Sequence, residues 1–523
     1  MKVSYKYAAA LTVSLGLFMA VLDSTIVNVA LANMEESFHT DINAIQWVVT
    51  AYTLAQAAVI PAAGYLSNRA GIKRLFMLAL AVFIFGSLLC GLSPHVAGAH
   101  GGDHWLVGFR VLQGLGGGMV FPLGTAIAFS VFPPAERAIS SAVIAVPVVV
   151  APAFGPTIGG LIVDSRVGWP GIFFLNVPIG IVSLYLIQRV LKPDQRERGV
   201  GAAPAFDWMG LTLSMLGVVL AVYAFALVSE AKPGTVTAIN PNGIVYGWGY
   251  WLVWVLFAAG MALLAVFAVW ELKFTNDPVI DLRLFASYDF TIASIATWFV
   301  RALVLGSFLI LPLFLQQFQG RSAVATGLIL MAQGVGSLVG VQTGSWMFDR
   351  IGPRAVVVIG ALTLTLSTWL LFLVKIDSGW RFFVPILVIR GFGFGWTNLP
   401  LQTVSLQTIT GAALPKASSL YRATAQVFTS IGVAISSTIL VQRTAAHATA
   451  IASAAHAAGH APPADLLLRA GTAGTSDVFG VLTIATAVLV VVSFFLPRRS
   501  LKQLLASGAR QPAAASQQHA HMD

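Results

Sequence analysis

Five ionisable side chains sit where an apolar chain has least reason to carry them. Asp23, Arg110, Arg301 and Arg390 fall well inside long apolar runs, and Arg422 lies near the end of one. Charge in a hydrocarbon layer is costly, so such residues face a protein interior or a wet cavity and commonly serve function. Asp23 is the one acid among the five. Its surroundings decide whether a carboxyl holds a proton, so exposure by turns to two sides of a membrane would load and unload one. A structural polar link between helices is the other reading of Asp23. Arg110 keeps its charge at any working pH, so it reads as a counter-charge to an acid or as a donor to backbone carbonyls. Arg301 and Arg390 read as cavity residues suited to anionic amphiphiles. Trp47, Phe121, Trp298 and Trp396 read as the aromatic wall of that cavity or as plain packing. Arg422, close to a span end, reads as structural or interfacial.

The elements that must position these groups are helices crossing a bilayer. Of 523 residues, 57% are hydrophobic and 10% charged, and the mean hydropathy is +0.83. The apolar residues come in runs of about twenty, the length of a transmembrane helix. A transmembrane barrel would show alternating segments of about ten instead. The chain therefore reads as an all-α polytopic membrane protein of about fourteen spans, the first near 8–32, the thirteenth near 417–442 and the last near 476–497. An even number puts both ends on one side. Lys and Arg gather in alternate loops, at Arg69, Lys73 and Arg74, at Arg189, Lys192, Arg196 and Arg198, at Arg350 and Arg354, and at Arg498, Arg499 and Lys502. Both termini should then be cytoplasmic, in a plasma (inner) membrane. The formal charge of +10 is spread over short loops, which argues against a nucleic-acid partner. Cys90 is the single cysteine, the nine histidines lie in loops or tail, and no phosphate-binding loop motif occurs. No metal site, no ATP-driven step and no cofactor are expected, and clustered acids for an enzyme are missing from the spans.

Two repeats divide the chain. Leu66-Ser-Asn68-Arg69-Ala-Gly71-Ile-Lys73 recurs as Met347-Phe-Asp349-Arg350-Ile-Gly352-Pro-Arg354, each just after one apolar span and before the next. The glycine permits a tight turn, and the bases stay in water or meet helix C-termini. Arg110-x-x-Gln113-Gly114-x-Gly116 and Arg390-Gly391-x-Gly393-x-Gly395 form a looser pair. Duplicated six-helix bundles follow from this: 1–191 and 273–497, the latter with an Ala- and His-rich outer loop at 443–475. A charged linker at 192–207 and two extra spans at 208–272 separate them, and 498–523 reads as a disordered cytoplasmic tail. One span, around Val146–Ile162, is unusually rich in Gly and Pro. Gly155 and Gly159 share a face there, so another helix can approach closely.

Together these motifs resemble the fourteen-span drug-proton antiporter-2 family (EmrB/QacA type) of the major facilitator superfamily. The residues that carry the resemblance are Leu22-Asp23-Ser24-Thr25, Gly64-x-Leu66-x-Asn68-Arg69-x-Gly71-x-Lys73, Arg110-x-x-Gln113-Gly114, Gly155-Pro156-x-x-Gly159-Gly160 and Trp169 to Gly180. Asn68 stands where the family carries an acid, which Asp349 keeps in the second copy. Ala425 stands beside Gln426 where an Arg is expected, with Arg422 a turn earlier. The resemblance implies a major facilitator fold and a proton-coupled exporter of amphipathic compounds working by alternating access. A narrow exporter of a fatty acid, siderophore or other metabolite is the alternative. It implies proton coupling at Asp23 with Arg110, and conformational roles for Gly64, Asn68, Arg69, Gly71, Lys73, Asp349, Arg350, Gly352, Gly155, Pro156, Gly159 and Gly160. In a two-membrane bacterium it also implies a periplasmic adaptor and an outer-membrane channel as partners.

Overall fold

A computed structural model describes residues 4–40, 42–97, 102–193, 206–229, 232, 246–275, 278–458, 463, 465–500 and 503–504, without the side chains at 32, 42–44, 46, 147–149, 152, 153, 156, 305, 306, 308, 309, 317 and 323. Most of the linker and tail, and the side chain of Pro156, thus lie outside the described residues. The described chain is helical. No water in a bilayer core can satisfy the backbone, so the apolar runs close their hydrogen bonds within themselves.

The first bundle comprises α1 (Tyr5–Phe38), α2 (Ile42–Ala70), α3 (Ile72–Ala97), α4 (Gly102–Val131), α5 (Arg137–Val163), the single turn α6 (Gly171–Phe174) and α7 (Asn176–Val190). A hairpin of α8 (Trp208–Ser229) and α9 (Trp251–Lys273) follows. The second bundle comprises α10 (Tyr288–Val300), α11 (Gly306–Leu313), α12 (Ala323–Ile351), α13 (Pro353–Phe372), α14 (Trp380–Leu406), α15 (Ala413–Ala457) and α16 (Leu466–Ser493). Twelve of the described helices are each long and apolar enough to cross a membrane. Two further segments complete the expected fourteen. One is α5, 27 residues long. The other runs from α10 to α11 as a single path, broken by π turns at Arg301–Leu305 and Phe314–Phe318.

The bundles meet along two seams, α5 against α12 and α2 against α15. The α8–α9 hairpin is an appendage: α8 packs on α2 and α15, whereas α9 leans chiefly on α8 and turns Trp251, Trp254 and Val266 outward. One element departs from the sequence reading. Residues 443–457, expected as the start of an outer loop, continue α15, and α16 begins at Leu466 rather than near 476. Alanine is the strongest helix former, so its richness there extends the helix instead of ending it. At 45 residues α15 is about 68 Å long, well beyond a hydrocarbon core of about 30 Å. Arg443 and His447 both bond Asp477 and tie its far end to α16.

Hydrogen bonds cross between the bundles toward the face that carries the N-terminus. Asn68 Nδ2 donates to the Ala412 carbonyl at 3.0 Å. Arg137 donates to the carbonyls of Leu406 and Ile409. Ser141 and Thr403 share a bond of 3.0 Å, and Ser418 donates to the Pro122 carbonyl. A Cβ at Gly64 would lie 2.7 Å from the Lys416 Cα and the Pro415 oxygen, so α2 and α15 touch backbone to backbone. The molecule is closed at this face.

Candidate functional site

Inside the first bundle the apolar packing is interrupted by a buried polar network. Asp23 and Arg110 are 0% and 1% exposed, on α1 and α4. Arg110 Nη1 donates to Asp23 Oδ2 at 2.6 Å. Asp23 Oδ1 accepts from Gln113 Nε2 and from Asn176 Nδ2, both at 2.8 Å. Arg110 also donates from Nη1 to Gln113 Oε1 at 2.7 Å and from Nε to the Val48 carbonyl at 3.0 Å, and its guanidinium stands 3.8 Å over the Tyr52 ring. Asn176 reaches on to Ser87 Oγ at 3.0 Å, and Ser87 donates to the Phe173 carbonyl. Helices α1, α4 and α7 therefore meet at one carboxylate with three donors, and α2 and α3 join the network through the Val48 carbonyl and Ser87. A charge pair this buried holds only when its remaining bonds are satisfied, as they are here. The sequence reading named Asp23 and Arg110 as site residues. Gln113 and Asn176 stood in the quoted motifs without a role; their polarity within apolar runs was the available signal.

The expected gating residues fall at helix ends. The two copies of the repeat do the same work in the two bundles. Gly71 (φ 89°) and Gly352 (φ 86°) make the turns that only glycine takes readily. Lys73 Nζ donates to the Gln188 carbonyl in the last turn of α7 and to the Leu191 carbonyl just beyond it, and Arg354 Nε donates to the Leu496 carbonyl beyond α16. Basic side chains thus close the last helix of each bundle. Arg69 lies over the rings of Tyr65 and Phe206, and Arg350 over Trp346. The Asp349 and Arg350 carbonyls accept from Gln503, so the first part of the tail docks on this turn instead of hanging free. In the Gly/Pro-rich helix, a Cβ at Gly155 would lie 2.4 Å from Thr25 Oγ1, and one at Gly159 2.8 Å from Ile26 Cγ1. Their absence lets α5 seat on α1 beside Asp23. Gly160 faces the other way, with nothing within 4 Å.

The cavity residues divide. Arg390 is 2% exposed and lies inside the second bundle, not between bundles. Trp396 is tied to Thr343 at 2.9 Å in the same bundle, and Trp47 leans on Tyr223 of α8. These three side chains face neighbouring helices. Phe121 and Arg301 lie close to Arg422, and Trp298 packs against α15, the helix that carries Arg422. Arg422 lies 4.1 Å over the Phe121 ring, across from one bundle to the other. Arg301 and Arg422 are near enough to repel each other and flank Tyr421, whose hydroxyl bonds Thr297 at 2.9 Å. Trp298 stacks on Phe428 with ring centroids 4.7 Å apart. Among the described residues no carboxylate pairs with Arg301 or Arg422, and Arg301 Nε has no acceptor.

Two seamed helical bundles, a buried acid in the first and an aromatic, cationic patch where they meet describe a membrane transporter. The chain belongs to the Major Facilitator Superfamily, whose family model matches residues 13–306. It is similar to the multidrug resistance protein B homolog of Mycobacterium tuberculosis, 32% identical over 81% of this chain and 74% of that protein. It is likewise 32% identical to the fatty acid resistance protein FarB of Neisseria gonorrhoeae, over 84% of this chain and 82% of that one. The fold matches the crystal structure of a double-tryptophan mutant of XylE with a TM-score of 0.62 at 14% identity, covering 96% of this chain and 98% of the other.

Proposed function

We propose that this protein is a proton-coupled efflux transporter that moves amphipathic compounds, anionic ones foremost, by alternating access. The observation that carries the coupling is the Asp23–Arg110 pair, sealed within the first bundle while the molecule is closed at its terminal face. Taking up a proton at Asp23 removes the charge that holds Arg110. The helices gathered on that carboxylate lose their shared anchor at that moment, among them α1, on which the glycine face of α5 rides, and α5 forms a seam between bundles. Proton binding and bundle movement are then two sides of one equilibrium.

The substrate reading rests on Arg301 and Arg422. Two cations without carboxylate partners, beside Phe121, Trp298 and Phe428, suit an apolar body with an acidic head. Multidrug and fatty acid resistance are the named activities of two relatives, and a narrow exporter of fatty-acid-like compounds is the second reading of the same patch. The substrate passes unchanged, and the proton gradient takes the place of a cofactor. The terminal face is read as cytoplasmic and the membrane as the plasma (inner) membrane. In a two-membrane cell, a periplasmic adaptor and an outer-membrane channel would carry the substrate on.

Uptake of an anionic amphiphile into everted vesicles tests this. It should collapse with a protonophore and persist without ATP. Strict ATP dependence in purified proteoliposomes would rule the coupling out.

A further inference from the structure

Arg390 is the counterpart of Arg110 in the second bundle, but its surroundings lack an acid. Nη1 donates to Thr368 Oγ1 at 2.6 Å and Nη2 to Ser307 Oγ. Both acceptors are neutral, and their own protons are already given to the carbonyls of Leu364 and Val304. No carboxylate reaches Arg390 among the described residues. A guanidinium stays charged, and an unmatched charge in an apolar bundle is strongly destabilising. Beside it lies a cavity of about 10 Å³, lined by Arg390, Ser307, Gln333, Phe479 and leucine side chains. Gln333 is 4% exposed, and its Nε2 has no acceptor. Two donors, one charged and one neutral, thus line a space of about one water's size, which a monatomic halide would enter with a slight movement of the surrounding apolar side chains. A water would fill that space but leave the charge unbalanced. A single-atom anion would do both.

We propose that the second bundle binds one small halide, chloride in the cell, between the Arg390 guanidinium and the Gln333 amide. It stands in for the carboxylate that Asp23 supplies to Arg110. This site is separate from the transported substrate, whose patch at Arg301 and Arg422 lies between bundles. The role is structural: the ion holds α11, α12, α13 and α14 together through Ser307, Gln333, Thr368 and Arg390.

The test is the thermal unfolding of the purified full-length protein in detergent, with sodium chloride, bromide or gluconate at equal ionic strength. The expected result is a saturating rise in Tm of a few degrees with either halide over gluconate. Ser307→Asp brings its own carboxylate to Arg390, so it should unfold at a temperature indifferent to halide. Crystals grown in bromide should show an anomalous peak beside Arg390. Identical melting in halide and gluconate, a Ser307→Asp variant with the full halide shift, or a bromide peak at Arg301 and Arg422 alone would each overturn the site.

Discussion

Ser307 takes, in the second bundle, the place that Asp23 takes in the first. Asp23 lies on α1 and Ser307 on α11, in the α10–α11 path that opens the second bundle, and each accepts from a terminal nitrogen of that bundle's buried arginine, Arg110 or Arg390. The two bundles share the buried arginine and differ in its acceptor, so one holds an internal ion pair and the other, among the described residues, a cation without a carboxylate partner. Only the first has a titratable partner, which confines proton coupling to α1 in the reading proposed above.

Asp23→Asn should abolish concentrative export while leaving downhill exchange of substrate. It also leaves Arg110 without its counter-charge, at a cost on the order of 3–5 kcal/mol, so Tm should fall. Asp23→Glu should restore part of the pumping. The check is substrate accumulation against its gradient in vesicles, alongside size-exclusion profiles of each variant. Wild-type accumulation by Asp23→Asn would move the coupling group elsewhere.

Asn176 tests whether the network tunes that carboxylate. Asn176→Leu removes one donor at 2.8 Å and should cost about 1–3 kcal/mol, lowering transport at every pH alike. Asn176→Asp puts a second carboxyl at hydrogen-bond distance from Asp23. Like charges so close do not both ionise readily, so the pH profile of transport should shift. Superimposable profiles for the two variants would mean that Asn176 only packs.

The close approaches should be intolerant of a single methyl. Gly64→Ala meets the Lys416 backbone, so it should prevent closure at the terminal face and abolish transport. Labelling of a cysteine placed at Ala412 should speed up in that variant. Gly155→Ala meets Thr25 and should impair transport similarly. Gly160→Ala meets nothing within 4 Å and should transport like the wild type. Equal loss at Gly160 would show that helix propensity, not contact, is responsible.

Arg301→Gln and Arg422→Gln should weaken anionic substrates roughly tenfold each, as the loss of a charged hydrogen bond would, and spare neutral ones. Binding titrations with a matched pair, an acid and its methyl ester, read the difference. A uniform loss for acid and ester would assign both arginines to the scaffold.

Orientation can be read with reporter fusions. Fusions at Arg196 and after Gln503 should report cytoplasm, and one at His456, at the far end of α15, the outside. A cytoplasmic signal at His456 would reverse the assignment of the faces.

Helix class, span number and the two-bundle plan were legible in the sequence because each depends on properties local along the chain. Twenty apolar residues span a bilayer wherever they occur, and the repeats at Asn68 and Asp349 mark equivalent turns whatever surrounds them. The rarity of charge in the spans likewise singled out Asp23 and Arg110. The end of α15 was misread because an Ala- and His-rich stretch carries strong helix propensity but weak hydropathy, and hydropathy alone defined the spans.

Which arginine does what was decided only by tertiary structure. Arg301, Arg390 and Arg422 look alike along the chain, each a lone cation in apolar surroundings. Successive residues of a helix point about 100° apart, so a residue's face, and the helix behind that face, follow from packing between segments far apart in sequence. Packing turns Arg390 into its own bundle beside Ser307 and turns Arg422 across the seam onto Phe121. It also gathers Gln113 and Asn176, 90 and 153 positions from Asp23, onto one carboxylate. The apolar pattern specifies that these helices must pack; the shapes of their faces, at glycines such as Gly64 and Gly155, specify which of them meet.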